Sequence, residues 1–575
     1  MSETSDTPGT QASLRNLVMR NLPWRLRGEQ TPARIVLTLF VFMCCFGVIG
    51  GRLVMLGLVS PDAYSHRSRA AEQIAQARPD IVDRNGLVLA TDIRVPSMYG
   101  EPHNILDIDE TIERLTAAVP ELDSTDLRRR LSEDRRFVWL KREMTPAQQA
   151  AIHRLGIPGI GFLEENRRFY PGGRTAAHIL GLVNIDNQGI AGIERWIDSQ
   201  GLGDLHKAGF GRNAITEPVR LAMDLRVQHA LRDELLASMT EFRAKAAAAT
   251  ILDVRTGEVL AMVSLPDFDP NYLSTAKGAD TINRMTAGVY ELGSAFKAFT
   301  VAMALDSGLV SMKDSFDARQ PLRVASFTID DYHAKRRILT VPEIFIYSSN
   351  IGTAKMALTV GIEGHQDFLR RLGFFDKMHT ELPETAEPLL PANWGQLSSM
   401  TISFGHGISV QPLQAAAAGA ALINGGMLIN PTFLPRDPVA ALEFSRRVVK
   451  PETSDAMREL MRMNVAGGTA GKAEVPGLMV GGKTGTAEKV VNGRYSNSKL
   501  LNTFLAGFPM DKPRYAMLLM LDEPEATEET HGYRTSGWNA VPTAGRIIAR
   551  VAPFLGVLPE SGVVAEGGKP NSASF

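Results

Sequence analysis

From Ile35 to Gly51 the chain runs without one charged side chain, and beyond Arg52 the apolar run resumes as Leu53 to Val59. No other feature restricts the fold so tightly, because about 20 consecutive apolar residues match the hydrocarbon thickness of a bilayer. The pattern predicts a membrane-spanning helix over 35–59, with Arg52 reaching for the outer interface or marking the end of the span. Residues 1–34 carry Arg15, Arg20, Arg25, Arg27 and Arg34 and no lysine, the kind of basic flank that stays in the cytoplasm. A cleaved signal peptide competes with this reading, but the segment ahead of the apolar run is long and no small-x-small cleavage site stands out. A retained anchor places nearly everything after residue 60 outside the cytoplasm.

The only two cysteines, Cys44 and Cys45, lie inside that span, so the exported part must be held by its hydrophobic core without disulfides. Some 500 residues suffice for two or more sizeable domains. A net charge of −1 offers no basic footprint for nucleic acid. The 11 histidines include no H-E-x-x-H or other ligand spacing, which argues against a metal site, and no cofactor is expected. Gly467 to Ala473 imitates a phosphate-binding loop but has Ala466 and Ala473 where that loop needs glycine and a hydroxyl, so nucleotide binding is rejected.

Three short runs carry the chemistry: Ser294-Ala295-Phe296-Lys297, Ser348-Ser349-Asn350 and Lys483-Thr484-Gly485-Thr486. S-x-x-K alone is weak, since Ser274 to Lys277 and Ser496 to Lys499 share it in turn-rich sequence. Ser294 differs because it opens a long stretch of helix formers, with Lys297 one turn on along the same face. The S-x-N and K-T-G runs follow it in order. Ser348 and Asn350 alone read as a turn with a helix cap; beside their two companions they read as part of a site.

A serine hydroxyl is a poor nucleophile and needs a base within hydrogen-bond reach. Lysine serves only where burial and neighbouring cations lower its pKa. Lys297, inside an apolar helix and facing Lys483, meets both conditions. Ser348 is expected to relay a proton to the departing amine, and Asn350 to hold Lys297 and the substrate amide. The strand around 480–487 is small-residue rich, so a substrate backbone can lie along its edge.

In this order the runs resemble those of the penicillin-recognising serine enzymes. The D-R-N-G hairpin at 83–86, Arg168-Phe169-Tyr170-Pro171, Ala176-Ala177-His178 and Gly189 to Glu194 resemble the pedestal of class B penicillin-binding proteins. The anchor, the Ser-Ser-Asn-Ile-Gly form of the second run and Gly405-His406-Gly407 to Gln414 are similar to the cell-division, FtsI-like branch. The order of strands and helices reads as an α+β chain with residues 1–34 as a cytoplasmic tail, 35–59 as anchor and the Gly-, Ser- and Pro-rich 561–575 as a disordered tail, and the resemblance implies an elongated non-catalytic pedestal over 60–215. Residues 216–560 become a penicillin-binding, serine β-lactamase-like transpeptidase domain, an antiparallel sheet with helices on both sides. It also implies an oxyanion hole from the backbone N–H groups of Ser294 and Thr486, and a carboxylate site at Thr484, Gly485 and Thr486. His178 and Glu194 are assigned to structure.

Two departures stand out: Leu292 replaces the usual proline before the nucleophile, and Ala295 replaces the usual hydroxyl residue. Neither removes a catalytic group. The implied activity is D,D-transpeptidation of peptidoglycan stem peptides at the septum, on glycan derived from lipid-linked precursors, with β-lactams acylating the same serine. No glycosyl-transferring domain fits the pedestal, so an FtsW-like polymerase of the SEDS family and other division proteins are expected partners. The competing readings are a hydrolase with the same runs, a membrane β-lactam sensor, a non-enzymatic division scaffold and an elongation-branch relative.

Overall fold

The computed structural model describes residues 31–58, 77–202, 217–324, 327–491 and 493–559. The expected tail through residue 30 and the segment 561–575 lie outside the described residues. Helix α1, Thr31–Leu58, contains a stretch, Ile35–Met55, with mean hydropathy 2.1, long and apolar enough to cross a membrane. The helix runs on past Arg52, whose guanidinium turns to the Met55 sulfur.

The described residues from 77 to 559 form one compact unit. Its first part is a small sheet of β1 (Ile81–Val82), β2 (Val88–Gly100), β3 (Val138–Lys141), β4 (Ile160–Phe169) and β5 (Val219–Arg220). The Asp83-Arg84-Asn85-Gly86 run makes the expected hairpin, because the Asp83 carboxylate accepts from the Asn85 and Leu87 N–H groups at 2.8 and 2.9 Å. β5 lies past the expected boundary at 215, yet it pairs in parallel with β1, Ile81 opposite Val219. Composition cannot reveal a two-residue strand that returns across more than a hundred residues.

Beneath this sheet lies a closed set of charges. Glu194 accepts from Arg78 Nε at 2.9 Å and from Arg168 Nε at 2.6 Å, while Arg168 also reaches Asp92 at 3.0 Å and Arg78 reaches Asp198 at 2.6 Å. Burial works against the Arg168 charge, but Glu194 and Asp92 outweigh it and raise its pKa. His178 Nε2 lies 2.9 Å from the Asp280 carbonyl, and burial brings its pKa down to about 4. Tyr170 exchanges two 3.0 Å hydrogen bonds with the Asn271 side chain.

The second part is built on β6 (Ala246–Asp253), β7 (Val259–Leu265), β8 (Gly481–Val491), β9 (Arg494–Phe508) and β10 (Tyr515–Asp522), antiparallel throughout in the order β8-β9-β10-β6-β7. The helices around it include α2 (Leu225–Glu241), α3 (Lys297–Ser307), α4 (Val341–Tyr347), α5 (Asn350–Arg371), α6 (Pro412–Ala421), α7 (Pro451–Gly467) and α8 (Ala540–Val551). Period-two alternation sorts the strand residues. Ala247, Ala249, Ile251, Phe504, Met517 and Leu519 pack with α2 and α8. Ala248, Leu252, Leu505, Leu518 and Met520 pack with the remaining helices. This is the expected α+β layering, helices on both faces of an antiparallel sheet.

β9 begins at Arg494, where Arg494 and Tyr495 pair with Val491 and Val490 in a two-stranded ribbon beyond the main sheet. With no helix against it, that ribbon needs no apolar face and leaves no alternation to read.

Candidate active site

Ser294 sits on a single 3-10 turn, Gly293–Phe296, that feeds directly into α3 at Lys297. At three residues per turn, positions i and i+3 eclipse, which stacks Ser294 over Lys297 more directly than the expected α-helical start. Phe296 anchors the turn: its ring meets Phe299 at 5.2 Å and Phe374 at 5.4 Å, and each such pair contributes about 0.5–1.5 kcal/mol beyond burial. The Ser294 hydroxyl makes no hydrogen bond among the described residues and is half-buried. It is free to move.

The strand that carries Lys483 closes on this turn because two glycines let it. A Cβ on Gly485 would lie 2.3 Å from the Leu292 carbonyl oxygen and 2.9 Å from the Ala295 nitrogen; one on Gly293 would lie 2.5 Å from the Thr486 oxygen. Gly293 also holds φ +54°, open to glycine at little cost. β8 is an edge strand, so alternate backbone N–H groups face out of the sheet beside Ser294.

Lys297 and Lys483 are 1% and 0% exposed, and both ammonium groups reach one hydroxyl, Ser348 Oγ, at 3.1 and 2.9 Å. Lys297 also donates to the Ser348 carbonyl, and Lys483 to the Thr484 carbonyl at 3.3 Å. Ser348 can offer both oxygens to Lys297 because it closes α4 in the left-handed region, φ 58°, a conformation of cost for a non-glycine residue. Burial brings Lys297 down to about 7, with Asp331 pulling the other way. Burial, and next the Lys297 charge, hold Lys483 well below the ordinary lysine range.

Asn350 follows as the first residue of α5, but its amide donates to the Asp330 carbonyl at 2.9 Å. Ser348 meets Lys297 with two oxygens, and the Asn350 amide nitrogen meets the neighbouring loop, so among the described contacts it is Ser348 that holds the lysine. Thr484 Oγ1 lies 2.8 Å from Thr469 Oγ1, and Thr486 Oγ1 accepts from the Ser536 N–H at 3.1 Å.

Several partners escape the three runs. Asp331 accepts from Ser349 Oγ at 2.7 Å and from the Ile351 N–H at 3.0 Å, fixing the start of α5. Thr469 belongs to the segment that imitates a phosphate loop, and its role beside Thr484 carries no local signature. Glu291 accepts from the Gly407 N–H at 2.9 Å and the Tyr495 hydroxyl at 3.0 Å. Its place three residues before the nucleophile is the one signal that the sequence offers.

Fold and site together describe a mixed α/β enzyme domain in which a serine opens the turn that leads into a buried lysine whose pKa burial lowers, equipment suited to acyl transfer through an ester on serine. Residues 247–547 match the penicillin binding protein transpeptidase domain, and residues 73–200 the penicillin-binding protein dimerisation domain. The chain is 40% identical over 558 residues to a probable peptidoglycan D,D-transpeptidase FtsI of Caulobacter vibrioides, covering 95% of this chain and 92% of that one. It is 31% identical over 542 residues to the peptidoglycan D,D-transpeptidase FtsI of Escherichia coli, covering 89% and 90%. A probable peptidoglycan D,D-transpeptidase PenA of Neisseria gonorrhoeae shares 31% over 524 residues, 87% and 88% of the two chains. The protein belongs to the class B penicillin-binding proteins, in their FtsI-like branch.

Proposed function

We propose that this protein is a peptidoglycan D,D-transpeptidase of septal wall synthesis, anchored by one membrane helix and inhibited by β-lactams through the same serine. Ser294 attacks the penultimate D-alanine carbonyl of a stem peptide while neutral Lys297 takes its proton. The tetrahedral oxyanion rests on the Ser294 and Thr486 backbone N–H groups. Ser348, bridged by both lysines, returns a proton to the leaving D-alanine. An amine from a neighbouring stem then captures the acyl group. Thr484 and Thr486, with Lys483 behind them, receive the substrate carboxylate.

The arginine-rich flank favours an N-terminus in the cytoplasm and a catalytic unit on the outer side, in the periplasm. An FtsW-like glycan polymerase suits a chain whose matched domains are a transpeptidase and a dimerisation domain. The observation that carries the reading is the convergence of two buried lysines on the Ser348 hydroxyl, with the Lys483 strand packed against the Ser294 turn. Mass spectrometry of the intact protein after exposure to a penicillin, with peptide mapping, tests it. One long-lived adduct on the peptide containing Ser294 is expected; rapid turnover, or an adduct elsewhere, overturns it.

A further inference from the structure

A transpeptidase has two substrates, and the groups described so far handle only the first. The second arrives as an amine, which in neutral water carries a proton and a positive charge. Lys297 and Lys483 repel such a cation when they are charged, so an anionic group near Ser294 is needed. Asp331 is committed, its two oxygens taken by Ser349 Oγ and the Ile351 N–H. Glu291 is not. One of its oxygens accepts from Gly407 and Tyr495, but Oε2 is buried and has no hydrogen-bond partner among the described residues.

A buried carboxylate oxygen without a donor is uncommon in a folded protein and calls for an explanation. Glu291 lies three residues before Ser294, and the loop it holds through Gly407 touches the same turn: a Cβ on Gly405 would lie 2.2 Å from the Gly293 carbonyl oxygen. Tyr495 sits edge-on to His406 with ring centres 5.4 Å apart, and burial, then the Lys297 charge, bring His406 down to about 4, so it is neutral at physiological pH. Burial raises the Glu291 pKa, with no described cation to offset it. Tyr495 is 48% exposed on the β8–β9 ribbon.

We infer that Glu291 is the binding group for the acceptor amine, and that the acceptor displaces the Tyr495 hydroxyl on entry; the inference rests on the transpeptidase reading above. The acceptor docks as an ammonium and gives one proton to the Glu291 carboxylate. Its nitrogen forms the new C–N bond to the acyl carbon as the C–O bond to Ser294 breaks. The second proton passes through Lys297 to Ser294 Oγ, and Glu291 releases its proton to water. The products are the cross-linking amide and free Ser294.

The test acylates the full-length protein in detergent with a thioester analogue of the donor peptide, offers D-alanine as acceptor, and measures amide against acid product by mass spectrometry. Both products come from one acyl-enzyme, so changes in acylation cancel from the ratio. Glu291→Gln keeps an oxygen for Gly407 and Tyr495 and loses only the charge. It is expected to lower the amide-to-acid ratio at least tenfold; a merely bracing role predicts that the glutamine preserves it. Tyr495→Phe is expected to lower the D-alanine concentration needed for half-maximal aminolysis several-fold. Glu488, an exposed carboxylate two residues past Thr486, supplies the control. An unchanged ratio in Glu291→Gln, or a fall in Glu488→Gln instead, overturns the inference alone. Failure of the unaltered protein to acylate at Ser294 overturns the transpeptidase reading with it.

Discussion

Two parts of the molecule bury charge, and they do it in opposite ways. In the pedestal, Arg78 and Arg168 meet Glu194, Asp92 and Asp198 at 2.6–3.0 Å, so each buried cation has anions at contact distance. In the catalytic unit, Lys297 and Lys483 share a neutral hydroxyl, and each is pulled below its ordinary pKa by burial. Pairing fixes a proton in place and makes structure. Leaving a cation unpaired lets the proton go and makes a base. The same physical cost, desolvation, is offset in one region and left standing in the other.

The comparison breaks most sharply at Lys297. Replacing it with methionine should slow penicillin acylation of Ser294 by about 10²–10⁴-fold, the usual worth of a positioned general base, in stopped-flow measurements. The same variant should melt at a higher temperature, because an apolar side chain of similar length carries no desolvation cost. The sign follows from proton counting. Between about 7, the folded value, and the ordinary lysine value near 10.4, the unfolded chain binds more protons at this position, so stability rises with pH. Lys297→Met should lose that part of the slope in urea titrations run across the window.

In the pedestal the expected outcome is reversed. Glu194→Ala leaves two buried guanidinium groups without their shared anion and should cost about 3–5 kcal/mol in chemical denaturation, with acylation of the folded protein retained. A variant that melts normally would mean that the pedestal charges are not structural. Asp331→Asn sharpens the catalytic side. It removes the one charge that favours protonated Lys297, so the pH of half-maximal acylation should fall, by up to about one unit. The smallest effect belongs to Thr469→Val, which strips the hydroxyl beside Thr484 and should cost about 0.5–1.5 kcal/mol in urea unfolding.

Much of this site was legible from residue types alone, because serine, lysine and hydroxyl groups in three ordered runs have few other joint uses. The layering of the catalytic unit was legible too, since its buried strands alternate and its helices carry apolar faces. What escaped depends on contacts through space. Ser348 at φ 58° turns two oxygens onto Lys297, and nothing in Tyr347-Ser348-Ser349 announces a left-handed serine. For that reason the sequence suggested Asn350 as the lysine's holder, whereas its amide meets Asp330. Asp331 and Glu291 look like ordinary surface acids until the chain folds. The Val219–Arg220 strand and the polar β8–β9 ribbon were hidden because neither carries an alternating apolar pattern.

The account stands or falls on Lys297 being neutral when Ser294 reacts. The rate of penicillin acylation at Ser294, followed from pH 5 to 9 on the full-length protein, measures this directly. It should climb about tenfold per pH unit on the acid side and level off above about 7. A rate that stays flat across the acid range, or a midpoint near the ordinary lysine value, would contradict it.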